Sequence, residues 1–172
     1  MTSRVRAAVH GQALVWFLAL ALMLCAGASS NALAQELIGR ASVIDGDTID
    51  VARTRVRLWG IDAPESKQTC VRDGKPWLCG NAAFNALSEW LGERVVHCEP
   101  RTMDRYQRVV ALCRVAGDDV SAWLVANGHA LAFRRYSNDY VLAEDEARRE
   151  RVGIWSSEFK APWEWRADQR QK

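Results

Sequence analysis

Ser42-Val-Ile-Asp45-Gly46-Asp47-Thr48-Ile-Asp-Val51 is the stretch from which the fold is read. Apolar and polar residues alternate on both sides of Asp45-Gly46, so two β-segments are expected to meet there in a hairpin. After a polar step at Ala52-Arg53-Thr54, the run Arg55-Val-Arg57-Leu-Trp59 alternates again. Its period of two puts Arg55 and Arg57 on one face and Val56 and Leu58 on the other. Two later runs, Arg94–Cys98 and Arg108–Val115, are β-branched and alternating, and they flank the polar connection Pro100–Gln107. An antiparallel pair is expected, with Cys98 and Cys113 able to face each other.

Three helices are expected among and after these strands. Asn81 is a candidate cap for a helix carrying Phe84, Leu87 and Leu91 at intervals of three and four. Asp118 or Asp119 suits the start of a second helix, with Val120, Trp123 and Leu124 inward and Gly128 as its stop. Asn138 or Asp139 suits a third, ending at Gly153. Its i,i+4 pairs Glu144–Arg148 and Asp145–Arg149 read as a solvated charged face. Trp155, Trp163 and Trp165 in the tail are expected to pack against the body. Five short strands with about three helices give a mixed α+β, mainly β class: a five-stranded Greek-key barrel of the OB type.

Residues 1–34 stand apart. Arg4 and Arg6 precede the apolar run Ala13–Cys25, and small residues follow, ending Ala32-Leu33-Ala34. A charged region, an apolar region and an A-x-A site in that order mark a signal peptide cleaved near Ala34. A secreted or periplasmic destination follows, with a membrane tether through an uncleaved signal anchor as the alternative. After cleavage no stable membrane association is expected, and residues 35–172 form one domain. The size of 172 residues suits one domain, and 49% hydrophobic content with only 4 prolines excludes a disordered or collagen-like chain.

Charge and cysteine usage refine this. The full chain has 23 Lys+Arg and 21 Asp+Glu. Residues 1–34 hold two of the arginines and no acids, so the remainder is balanced, and any anion site has to be local. Four cysteines remain beyond Cys25, an even number that suggests two disulfides with three possible connectivities. The expected pairing is Cys70–Cys79, closing a polar loop, and Cys98–Cys113, bridging two strands. Zinc does not fit, since no C-x₂₋₄-C pair exists and His97 and His129 are far apart in sequence.

Chemistry concentrates in two places. Asp47, Asp62 and Glu65 lie near strand ends and turns with Arg57 among them, and Asp104-Arg-Tyr-Gln-Arg108 adds a second arginine. Taken singly, Asp-Gly and Asp-Ala-Pro-Glu are ordinary turn residues, and an arginine opening a strand is an ordinary surface residue. Together they form a set that suits a phosphodiester: guanidinium forks for its oxygens, hard oxygen ligands for a cation such as Ca²⁺, and a carboxylate for water. Pro64 keeps Ala63 out of the α region and can leave its carbonyl available to a metal.

Val-Ile-Asp45-Gly-Asp47-Thr, Arg57-Leu-Trp-Gly-Ile-Asp62-Ala-Pro-Glu65 and Asp104-Arg-Tyr-Gln-Arg108, in this order, resemble the staphylococcal nuclease (thermonuclease) family. The likeness runs from about Gly39 to Trp155 and includes the late Gly-Ile-Trp-Ser. It implies an OB-type barrel and Ca²⁺-dependent hydrolysis of DNA and/or RNA leaving 3′-phosphates. By the same resemblance Asp47, Asp62 and the Ala63 carbonyl are the Ca²⁺ ligands. Glu65 handles the attacking water, and Arg57 and Arg108 bind the scissile phosphate. Tyr136 stands where the family places an aromatic beside the nucleotide, and Arg134 stands where a second tyrosine is expected, so both are substrate-binding candidates. Ala63 in place of a hydroxyl-bearing residue and the unusual segment Lys67–Cys79 depart from the family pattern. A monomer acting on a nucleic-acid substrate is expected. The alternative is a non-catalytic OB module binding single-stranded nucleic acid or peptide. Another exported hydrolase lacks its parts, with no G-x-S-x-G and no H-E-x-x-H.

Overall fold

The computed structural model describes residues 35–171. The signal peptide expected over residues 1–34 lies outside them.

Strand β1 (Leu37–Asp45) turns at Gly46-Asp47 into β2 (Thr48–Val51), pairing Val43 with Ile49 and Asp45 with Thr48. β3 (Thr54–Leu58) follows β2 antiparallel, with Ile49 opposite Val56. On its other edge β1 pairs with a long strand over Val95–Met103, which pairs in turn with one over Val109–Val115. That last strand closes the ring by running parallel to β3, Val56 against Val109 and Arg57 against Val110. Closure leaves five strands without a free edge between them, so the inward side chains Ile49, Val51, Val56, Leu58, Val96 and Cys98 are buried together. The expected barrel and the expected inward face of β3 are both present.

Between β3 and the long strand lie three short ones. β4 (Ile61–Asp62) continues from β3, and β5 (Cys70–Arg72) and β6 (Lys75–Trp77) form a small hairpin. The long strands are therefore β7 (Val95–Met103) and β8 (Val109–Val115), and β9 (Asp118–Asp119) extends β8. Both expected disulfides are formed. Cys98–Cys113 joins directly opposed residues of β7 and β8, and Cys70–Cys79 ties the β5–β6 hairpin to the first helix.

Helix α1 (Cys79–Leu91) buries Ala83, Leu87 and Leu91, one residue per turn against the barrel. It starts two residues before the expected Asn81 cap. The cause is tertiary: Cys79 is held by Cys70, and the Gly80 N–H reaches the Gln68 carbonyl at 3.3 Å. Helix α2 (Val120–Ala126) is capped as expected, by Asp119 Oδ1 accepting the Ala122 N–H at 3.0 Å. β10 (Leu131–Ala132) then pairs with β4, Leu131 opposite Asp62.

Helix α3 (Val141–Arg149) corrects the reading of its charges. Glu144 is only 1% exposed; it accepts the Ala132 N–H at 2.9 Å and pairs with Arg134. Arg149 pairs with Glu146 and not with Asp145. The period and the charge spacing were legible, but the position of Glu144 over the open β10 backbone was not.

A turn of 3₁₀ helix (Gly153–Ser156) leads to a fourth helix, α4 (Pro162–Gln169), where about three were expected. Proline at its first position and Glu164, whose carboxylate accepts the Ala161 N–H at 3.4 Å, are its start signals. Only Pro162 is fully buried in it, so hydrophobic period gave no warning of a helix. A second core, of Cys70, Cys79, Leu131 and Ile154, lies beneath this tail and packs Trp155 and Trp163 as expected. No helix among the described residues is long and apolar enough to cross a membrane.

Candidate functional site

The β1–β2 turn delivers Asp47 to one mouth of the barrel. Gly46 passes so close to the chain after β4 that a Cβ on it would lie 2.7 Å from the Ala63 Cβ. Asp47 is buried and every contact of its carboxylate is local to the site: Oδ1 accepts from the Thr48 hydroxyl at 3.0 Å and from Arg57 at 2.9 Å. Its Oδ2 accepts the Ala63 N–H at 3.1 Å.

Arg57 leaves β3 on the face opposite Val56 and lies between two acids. Its Nη2 donates to Asp62 Oδ1 at 2.8 Å, while Nη1 holds Asp47. Asp62, held at the end of β4 by its pairing with β10, is fully buried. Burial pushes both aspartates above the usual carboxylate range, against the pull of Arg57 on Asp47 and of the Arg166 hydrogen bonds on Asp62. For Arg57, burial works the other way and is outweighed by Asp47 and Asp62, which hold its pKa above the ordinary value.

Glu65 sits in the loop after β4, built around the fully buried Gln68. The Gln68 amide oxygen accepts the Glu65 N–H at 3.2 Å, and the Gln68 N–H returns to the Glu65 carbonyl at 2.7 Å. Gly80 at the start of α1 must be glycine, because a Cβ there would fall 1.7 Å from the Glu65 carbonyl oxygen. The disulfide-bound segment Lys67–Cys79, the departure noted in the sequence, thus backs the loop that carries Glu65.

Arg108 immediately precedes β8, the strand that pairs with β3. Asp104 fixes Arg108 twice, accepting its backbone N–H at 3.0 Å and its Nε at 2.7 Å. One Nη reaches the Thr48 hydroxyl at 3.4 Å, so Arg108 touches the same turn as Asp47 without pairing to any of the three acids. Its guanidinium also faces the exposed Tyr106 ring, 5.6 Å from the centroid.

These groups surround one open cavity of about 1280 Å³. Asp47, Arg57, Ala63, Glu65 and Arg108 line it, while Asp62 lies just beneath. Nine arginines and five acids line the wall, a local excess of four positive charges in a domain whose total is balanced. Such a concentration draws polyanions into a cleft. Tyr136 lines the cavity too, its ring 5.1 Å from that of Phe133.

Arg134 does not. Its guanidinium turns to Glu144 and Asp145 on α3, and its neighbours Phe133 and Arg135 line the cavity in its place. The buried carboxylate of Glu144 provides the physical reason, since it needs a cationic partner more than a solvent-facing cleft does.

Sequence reasoning also missed a residue at the centre. Arg166 of α4 donates from Nη2 to Asp62 Oδ2 at 2.6 Å, and from Nη1 to Asp62 Oδ1 at 3.1 Å and Glu65 Oε1 at 2.6 Å. Trp163 and Arg166 of α4 and Arg170 at its C-cap recur at three and four, and all line the cavity. That spacing is the available signal, masked by a tail with little apolar periodicity.

The donors gathered here are oxygens alone, with no histidine or cysteine thiol, which suits a hard cation such as Ca²⁺ and not zinc or copper. Two buried carboxylates with raised pKa values mark a place where added positive charge is favourable. Among the described residues no three His, Cys, Asp or Glu side chains form a ready-made cage. A cation here would draw on Asp47, Asp62, backbone and water.

Comparison with known proteins agrees with the geometry. The family model described as "Staphylococcal nuclease homologue" matches residues 55–157. The chain is 41% identical over 130 residues to the succinoglycan biosynthesis protein ExoI of Rhizobium meliloti, covering 73% of this chain and 68% of that one. It is 34% identical over 142 residues to a protein named micrococcal nuclease from Shigella flexneri, covering 72% and 76%. Protein ParB of Escherichia coli is 33% identical over 168 residues, covering 87% and 88%. The chain belongs to the family of staphylococcal nuclease homologues.

Proposed function

We propose that this protein is an exported, Ca²⁺-dependent phosphodiesterase that hydrolyses DNA and/or RNA and leaves 3′-phosphates. The observation that carries the proposal is the seat of Arg57 between Asp47 and Asp62, at the base of an arginine-rimmed cavity that Glu65 and Arg108 also line. Family membership and the relative named micrococcal nuclease support the same reading. Two disulfides support export, since such bonds persist in oxidising compartments.

Asp47, Asp62 and the Ala63 carbonyl are the proposed ligands, and Ca²⁺ supplies, when bound, Lewis-acid polarisation of a phosphoryl oxygen. Arg57 and Arg108, from the paired strands β3 and β8, bind the non-bridging oxygens, neutralising the charge that builds in the transition state. Glu65, with its backbone fixed by Gln68, orients the attacking water and takes its proton. Attack in line breaks the P–O5′ bond; the leaving 5′-oxygen takes a proton from solvent water to become a hydroxyl, and phosphate stays on the 3′ side. Tyr136 and Phe133 offer aromatic faces to a base next to the cleaved link.

One feature favours the non-catalytic alternative: in this arrangement Arg166 neutralises Glu65 and Asp62. A single assay decides. Plasmid DNA and a single-stranded RNA are incubated with the protein in Ca²⁺, in chelator, and with Glu65→Gln in Ca²⁺. Hydrolysis only by the unaltered protein in Ca²⁺ supports the enzyme. Binding without hydrolysis in every arm supports the module.

A further inference from the structure

Helix α4 begins five residues beyond the stretch matched by the family model, so Arg166 lies outside that stretch. The helix is nevertheless fixed against it. Buried Gln68, which also shapes the Glu65 loop, donates its amide to the Lys160 carbonyl at 2.7 Å. Pro162 is buried, and the Trp163 ring lies stacked on Phe133 with centroids 5.5 Å apart. Lys160, two residues before the helix, pairs with Asp168 in its last turn. The Arg166 head is therefore aimed, and it lands on the two acids that face it.

The division of Asp62 between two arginines is uneven. Oδ1 is shared, receiving Arg57 at 2.8 Å and Arg166 at 3.1 Å. Oδ2 receives only Arg166, at 2.6 Å, among the described residues. Arg57 is also committed to Asp47, whereas the second partner of Arg166 is Glu65, a third exposed at the cavity wall. Asp62 Oδ2 and Glu65 Oε1, neither of which Arg57 holds, are thus the acid oxygens that Arg166 covers.

Resting on the Ca²⁺ reading above, we propose that Arg166 is the built-in counter-cation of the acidic site and sets its affinity for divalent metal, releasing Asp62 Oδ2 when the metal binds. Two cations competing for one carboxylate repel each other at short range in a poorly solvated site, so the arginine weakens metal binding. In return it keeps Asp62 and Glu65 paired when no metal is present, where an unpartnered buried carboxylate is costly. Because the head is carried on α4, metal binding is coupled to the hold of that helix on the cavity.

The test is Ca²⁺ titration by calorimetry of the whole purified protein, as wild type, Arg166→Gln and Arg166→Lys, with amide hydrogen exchange of α4 measured with and without Ca²⁺. Arg166→Gln is expected to bind Ca²⁺ about tenfold tighter, by the loss of one nearby positive charge. Arg166→Lys, which keeps the charge, is expected to stay close to wild type. In the wild type, Ca²⁺ should speed exchange in α4, and in Arg166→Gln it should not. A folded Arg166→Gln with unchanged or weaker affinity overturns the proposal while leaving the Ca²⁺ reading intact. If that variant does not fold, α4 exchange in the wild type decides, and exchange indifferent to bound Ca²⁺ overturns it. Failure of both wild type and variant to bind Ca²⁺ overturns the metal reading and this proposal together.

Discussion

Arg57 joins Asp47 to Asp62 across the mouth of the barrel, one guanidinium nitrogen on each carboxylate at 2.9 and 2.8 Å. All three are mostly or wholly buried, so the bridge is a matter of stability as well as chemistry. Without Arg57, two acids would remain in a poorly solvated pocket with too little positive charge between them.

The Arg57→Ala variant is expected to lose activity by about 10²- to 10³-fold, the usual effect of deleting one donor to a developing oxyanion. It should also lose roughly 3 kcal/mol of stability at neutral pH while remaining folded, because buried carboxylates are left unpaired. Initial rates on a fluorescent oligonucleotide and urea unfolding measure the two effects. Near-wild-type turnover by a folded variant removes Arg57 from the chemistry.

Glu65→Gln separates chemistry from structure. The backbone bonds to Gln68 do not depend on the carboxylate, and a glutamine oxygen still accepts from Arg166. The melting temperature should stay close to wild type while the rate falls by about 10²- to 10⁴-fold, the usual share of a positioned base. Equal losses of rate and melting temperature would mean that Glu65 is only structural.

The pH dependence of stability has a definite sign for Asp47 and Asp62. Burial raises both carboxyls above their unfolded values. A carboxyl with a raised pKa takes up a proton more readily in the folded state. Its contribution favours the fold at low pH and is lost as the pH rises through the folded-state value. Asp62→Asn should therefore gain stability relative to wild type as the pH climbs out of the acid range, in the absence of metal. Denaturant midpoints measured from pH 4 to 7 check this, and a difference that shrinks as pH rises contradicts it.

The Cys98–Cys113 bridge closes a loop with a sequence separation of 15 between opposed strands. Replacing both cysteines with alanine is expected to lower stability by about 3 kcal/mol, from freedom restored to the unfolded chain. Thermal unfolding of the double variant beside wild type measures it, and an unchanged midpoint would show that the barrel does not depend on the bridge.

The barrel was largely legible because its signals are local. The Asp45-Gly46 turn, the alternation of Arg55–Leu58 and the facing of Cys98 and Cys113 each follow from residues within a strand or two. Much of the site was legible for a related reason: Asp47, Arg57 and Asp62 stand at strand ends that the barrel brings together. Glu144 and Arg166 were not, because neither role has a local signature. Glu144 looks like one of several charges on an exposed helix until β10 is placed beneath it. Arg166 acts on an acid 104 residues earlier, and only the path of the tail, held by Gln68 and Phe133, brings it there. Arg134 shows the converse: its place in the chain suggested the substrate, and the buried charge of Glu144 took it away.

The central claim is tested most directly by analysing the ends produced from a labelled oligonucleotide in Ca²⁺ and in excess chelator. The account predicts cleavage only in Ca²⁺, with every new 3′ end carrying a phosphate and every new 5′ end a hydroxyl. An intact oligonucleotide in Ca²⁺, cleavage undiminished by chelator, or 5′-phosphate ends would contradict it.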